Sequence, residues 1–193
     1  MKSKVFIVQI IMLLLTILVS SCLGCRIIDY DRLTEAQKQM IPYSHGESVN
    51  FIDSLGHPFV LTAKIGTSWH EPDDCFKSET RNVILQSEQG DWVISFYTEI
   101  WLGNQIIIGI RQFYSYINYD DNGRLVAEND QYLHNSLEID NNTFYDVLEG
   151  NVSKNGRGEQ YYYRFFYNKK YGILQLVDNE KVIFTIDKTK INN

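Results

Sequence analysis

The densest collection of side chains able to do chemistry is Trp69-His70-Glu71-Pro72-Asp73-Asp74-Cys75. His, Glu, Asp and Cys all ligate metals, but this spacing matches no zinc pattern, and Pro72 predicts a turn carrying solvated charges. The segment reads as an acidic loop rather than a metal site. Glu99 and Arg111 fall on adjacent predicted strands. Pointed into a barrel they would be costly unless paired, and such a pair could orient the polar end of a ligand. Pointed outward they are a cross-strand ion pair worth under about 1 kcal/mol. Arg164, between Tyr162 and Phe166 on one strand face, poses the same alternatives, with stacking on those aromatics the simpler one. Glu99, Arg111 and Arg164 are therefore the candidate ligand-binding residues. His45, His57 and His134 read as surface residues, and His134 joins a constellation only if the fold brings acids to it. No Ser-centred nucleophile elbow, glycine-rich phosphate loop or HExxH occurs, so no catalytic residue and no cofactor is expected.

A different chemistry stands at the start of the chain. Lys2 and Lys4 precede an apolar run over 5–19, broken only by Gln9 and Thr16, and Ser20-Ser21 follow. A basic start, a short apolar run and small residues describe a secretory signal over 1–21. The run falls short of the ~20 apolar residues that span a bilayer comfortably. Val19-Ser20-Ser21-Cys22 resembles the bacterial lipobox, in which the cysteine thiol takes a diacylglyceryl group before cleavage. Cys25 is the rival, but Cys22 then sits three residues upstream of it, a poor fit. Each buried methylene contributes about 0.8 kcal/mol and one chain holds only marginally, so two or three acyl chains on Cys22 make a firm anchor.

With Cys22 lipidated, Cys25 and Cys75 remain as a candidate disulfide, which an oxidising compartment permits. Closing that loop of about 50 residues contributes roughly 4 kcal/mol in the chain-entropy view. Against it, Cys25 lies close to the anchor in a tether read over 22–31, and two free thiols are the simpler reading. Loss of Lys2 and Lys4 takes the basic count from 18 to 16 against 24 acids, so the formal charge goes from −6 to −8. A domain this acidic repels phosphate backbones, which argues against nucleic-acid binding.

The elements that must position these groups are strands. Thr34-Glu35-Ala36-Gln37 matches a capping box, and Pro42 ends the short helix of about two turns that it predicts. From Ser48 onward the pattern has period two: strands near 49–52, 59–65, 80–87, 92–101, 105–118, 133–139, 144–150, 159–167, 171–177 and 181–187. Polar turns separate them, among them Ser54-Leu55-Gly56-His57, Asp120-Asp121-Asn122-Gly123 and Asp140-Asn141-Asn142. Short connections favour antiparallel neighbours, and so many aromatic strands must curl or close to hide their edges. The expectation is one all-β domain over 32–193, with one short N-terminal helix. Its strands form an antiparallel up-and-down barrel or half-barrel, lipocalin-like in connectivity, with a β-sandwich as the alternative.

Several fragments resemble uncharacterised lipoproteins of Bacteroidota. Residues 29–35 (Asp-Tyr-Asp-Arg-Leu-Thr-Glu), Ile41-Pro42-Tyr43 and Gly46-Glu47-Ser48-Val49-Asn50-Phe51 are similar to their mature start. Thr143-Phe144-Tyr145-Asp146-Val147 and Tyr171-Gly172-Ile173-Leu174 are similar to their C-terminal half. The resemblance implies a membrane-tethered β domain of unassigned role and carries no site residues over. Surface-displayed members carry an acidic stretch after the lipidated cysteine. Leu23-Gly24-Cys25-Arg26-Ile27-Ile28 has none, which implies the periplasmic face of the outer membrane.

The functional expectation is a binding module, not an enzyme. An aromatic concave face built from Trp92, Phe96, Phe113, Tyr161, Tyr163 and Phe165 would hold an apolar ligand, a lipid or a peptide strand. The plain counterpart is that these side chains fill the core. The alternative is an accessory subunit of an envelope protein complex that uses a strand edge or face; a hydrolase comes third.

Overall fold

A computed structural model describes residues 29–73, 76–99, 102–111, 113–128, 130–153, 161–178 and 180–190. Cys22 and the Cys25–Cys75 pair lie outside the described residues, as does the side chain of Tyr161.

The chain forms one sheet whose connected order is β8-β7-β6-β5-β4-β3-β2-β13-β12-β11-β10-β9, with β1 off this path beside β4. These strands are β1 (Asp29–Asp31), β2 (Ser48–Asp53), β3 (Pro58–Asp73), β4 (Phe76–Gln86), β5 (Val93–Glu99), β6 (Gln105–Ile110) and β7 (Phe113–Tyr119). There follow β8 (Leu125–Val126), β9 (Tyr132–Ile139), β10 (Asn142–Ser153), β11 (Tyr161–Asn168), β12 (Gly172–Asp178) and β13 (Lys181–Ile186). Sequential hairpins account for every antiparallel neighbour except two. β13 returns to β2, pairing Ile186 with Phe51, and β10 touches β7 at Ser153 and Tyr114. These two contacts roll the sheet into a nearly closed, up-and-down barrel, the expected class.

Alternation decides which side chains enter it. On β5, Ile94, Phe96 and Thr98 are buried while Val93, Ser95, Tyr97 and Glu99 are partly exposed. Ile106, Ile108 and Ile110 do the same on β6, and on β11 the inward positions are aromatic: Tyr163, Phe165 and Tyr167. Gly150 lies opposite Phe165, and a Cβ there would stand 2.6 Å from the ring's Cζ, so the absent side chain makes room for the aromatic.

The short helix α1 (Glu35–Lys38) carries both bonds of the capping box: Thr34 Oγ1 accepts the Gln37 N–H, and Gln37 Oε1 accepts the Thr34 N–H at 2.9 Å. It is one turn, not two. Three further expectations change. Residues 29–31, read as tether, form a strand parallel to β4. The run 105–118 is two strands, because Arg111 adopts φ 58° and turns the chain between Ile110 and Phe113. The segment from Trp69 to Asp73 is extended, not a turn: β3 runs through it, with a register irregularity between His70 and Asp73. Residues 66–71 are exposed, so the end of β3 stands at the surface as an arm, while Ser78 and Thr80 of β4 beside it are buried. Glu71 and Lys77 pair across it, and Trp69 meets Tyr30 of β1 edge-on at 5.5 Å.

Two turns share one design, Asp-x-x-Gly and then a basic residue. Asp53 accepts the N–H groups of Leu55 and His57 at 2.8 Å each; Asp120 accepts those of Asn122 and Arg124 at 2.9 and 2.8 Å. Gly56 and Gly123 supply the positive φ that follows. The donated bonds, those of His57 and Arg124 foremost, hold both carboxyls below their ordinary 3.8. A depressed folded value means the stabilisation is present above the ordinary aspartate range and is lost as pH falls through the depressed value. Acidification is expected to release these four amide protons only at strongly acidic pH, followed by NMR. A midpoint at the ordinary aspartate value would contradict the capping role.

Candidate functional site

The inside of the barrel is occupied by the chain itself. Leaving α1, Met40, Ile41 and Tyr43 run into the mouth and are buried. Tyr119 and Tyr167 both donate to the Met40 carbonyl at 2.9 Å, and their hydroxyls lie 3.1 Å apart. Tyr43 accepts the Ile173 N–H at 2.8 Å and sets its ring 5.4 Å from Phe96. Burial pushes all three tyrosine hydroxyls well above their ordinary value of 10.0, so they are neutral donors and acceptors here. Glu79 and Arg81 grip the same segment from β4. The Glu79 carboxylate accepts the Leu33 N–H at 3.1 Å, and Arg81 Nη2 donates to the Tyr43 carbonyl at 3.2 Å. Desolvation draws the Arg81 guanidinium below its ordinary value.

The aromatic residues singled out from the sequence divide accordingly. Phe96 and Phe165 are fully buried, Phe113 and Tyr163 nearly so, and Trp92 packs on Phe184 at 5.6 Å. Phe96, Phe113, Tyr163 and Phe165 belong to the hydrophobic core, and Trp92 packs against it.

Glu99 and Arg111 are not brought together. Glu99 ends β5 facing outward and accepts a 2.6 Å hydrogen bond from the Tyr97 hydroxyl. Arg111 sits by the other end of that strand, its N–H on the Val93 carbonyl and its guanidinium 4.6 Å from the Trp92 ring centroid. Arg164 does stack, 5.7 Å from the Phe166 centroid, and it also enters an ion pair.

That ion pair belongs to a cluster missed at the level of sequence. Glu149 on β10 takes His134 Nε2 at 2.7 Å on one oxygen and Arg164 Nη1 at 3.4 Å on the other. One carboxylate thus ties β9 to β10 and β11 across the outer face. The signal was present: with Asp140 and Asn141 as a two-residue turn, both at positive φ, Tyr132 falls opposite Glu149 and His134 diagonal to it. Among the described residues no hydroxyl or thiol is hydrogen-bonded to His134, and no three metal-ligating side chains gather. The cluster's chemistry is charge-assisted fastening.

What it fastens is an edge. β9 pairs with β10 along one side, and among the described residues no strand pairs with the other. Large apolar side chains stand in solvent around it: Tyr132 is 66% exposed, Leu133 42% and Tyr145, on β10, 68%. No helix of the described residues is long and apolar enough to cross a membrane. Comparison with family models, with curated proteins and with solved structures finds no match, so the site rests on its own geometry.

Proposed function

We propose that this protein is a lipid-anchored binding module of the outer membrane, facing the periplasm, that recognises an envelope protein with the outside of its barrel. The single observation behind an external site is the seating of Met40, Ile41 and Tyr43 in the barrel mouth, which leaves strand edge and outer face as the surfaces offered to a partner. The anchor reading rests on the signal-like residues 1–21 and on Cys22.

Two measurements test the two halves. Mass spectrometry of the mature N-terminus is expected to find an acylated Cys22, and Cys22→Ala should move the protein out of the membrane fraction. An unmodified Cys22 defeats the anchor. A photo-crosslinking residue at Tyr145, used in cells, is expected to capture a defined protein, whereas one at Phe96 should not. Absence of an adduct at Tyr145, together with lipid retained in native mass spectra, would replace the external site by an interior apolar ligand.

A further inference from the structure

We propose that the free edge of β9 accepts an extended, cationic polypeptide segment as an added strand. This rests on the binding-module reading and names the surface and the partner's chemistry.

The backbone offers the pairing groups. In a hairpin with a two-residue turn, the pair flanking the turn exchanges both hydrogen bonds and the pattern then alternates. Ile139 and Asn142 flank this turn, and the pairing runs unbroken from it to Ser136 and Tyr145, so Leu137 and Ile139 direct their N–H and C=O groups to β10. Ser136 and Glu138 direct theirs to the open side. Edges are usually blunted with lysine, proline or a bulge. Tyr132–Ile139 contains neither residue, and its register with β10 is the same on both sides of Asn135 and Asp146, which are not paired. Tyr132, Leu133 and Tyr145 give an added strand apolar footing on both faces.

Charge selects the occupant. Residues 125–153 contain six acids, Glu128, Asp130, Glu138, Asp140, Asp146 and Glu149, and no lysine or arginine. Of these only Glu149 is in an ion pair among the described residues. A second copy adding its own β9 would bring like charges together, whereas lysines or arginines of a partner would meet Glu138 on β9, Asp140 at one end of it and Glu128 and Asp130 before the other. A segment about as long as β9 itself, with apolar side chains among its basic ones, fits.

The test uses the full mature protein in detergent and a probe peptide of eight residues alternating lysine and valine. The control has the same sequence with alternate backbone nitrogens methylated, which keeps charge and removes donors. The first peptide is expected to bind, and methylation to weaken it at least about tenfold, since several backbone bonds go. Ser136→Pro should cost a comparable factor without unfolding, because its N–H faces the open side of an edge strand. Glu138→Lys should weaken binding and flatten its salt dependence. Equal binding of the methylated peptide means adsorption by charge alone and overturns the inference. So does a dimer of the protein that Ser136→Pro dissolves, which would make the occupant a second copy. A Tyr145 adduct in cells that persists unchanged in Ser136→Pro would leave the binding module standing and remove the edge from it.

Discussion

Gly172→Ala is expected to destabilise the fold by about 3 kcal/mol, through two costs at one position. Gly172 opens β12 at φ 75°, where an L side chain is strained by about 1–2 kcal/mol. A Cβ there would also run into the hydroxyl end of Tyr43, which is fully buried and bonded to the Ile173 N–H. Overpacking in such a place costs about 1–3 kcal/mol more. Denaturant unfolding measures the sum, and a double-mutant cycle with Tyr43→Phe should show favourable coupling, because removing the hydroxyl relieves part of the packing cost while its loss as acceptor for the Ile173 N–H is already counted in the Tyr43→Phe single variant. A loss below about 0.5 kcal/mol for the single variant would mean that the 40–43 segment does not sit against β12.

The second large effect is expected of Phe96→Ala. This ring faces Val83 and Ile108 on the neighbouring strands and lies 5.4 Å from Tyr43 and 6.2 Å from Tyr167. Removing it deletes the packing centre between the barrel wall and the inserted segment, a loss of about 3–5 kcal/mol for a buried phenylalanine. The space left would be lined by apolar groups, stay dry and accept benzene. Added benzene should therefore raise the melting temperature of the variant and leave the parent protein unmoved. A loss under about 1 kcal/mol, or a parent that responds equally to benzene, would show the interior to be loosely filled.

How legible all this was in the sequence depended on whether the cause was local. Thr34 and Gln37 cap α1 within four residues, and Asp140-Asn141 turns β9 into β10 with its own backbone, so both could be read directly. The turn at Arg111 was hidden because no glycine, proline or asparagine marks it and apolar residues continue on both sides. The trace it leaves is a change of phase, from Ile106, Ile108 and Ile110 to Phe113 and Ile117. The arm at Trp69–Asp73 looked like a turn because proline usually punctuates; at the end of an exposed strand it is tolerated. Two features depend on distant parts of the chain. Ile41-Pro42-Tyr43 has no period of its own, and Ile41 and Tyr43 are buried because distant strands, β7, β11 and β12 among them, meet around the segment. Arg164 reaches Glu149 only through the register of β10 with β11, which no local pattern announces.

The return of β13 to β2 governs when this protein can begin to exist as a folded object. Phe51 and Ile186 meet across more than a hundred residues of sequence, so the wall between them stays open until Ile186 has been synthesised. Hairpins such as β9–β10 form early from neighbouring residues, but the closing pair carries a large loop-closure entropy and sets a slow step, on the order of milliseconds to seconds for such non-local topologies. A chain emerging from its N-terminus holds β2 unpaired on that side until β13 follows it. Until then β2 and β13 are additional bare edges, and whatever shields them in that interval decides how much of the protein reaches its native form.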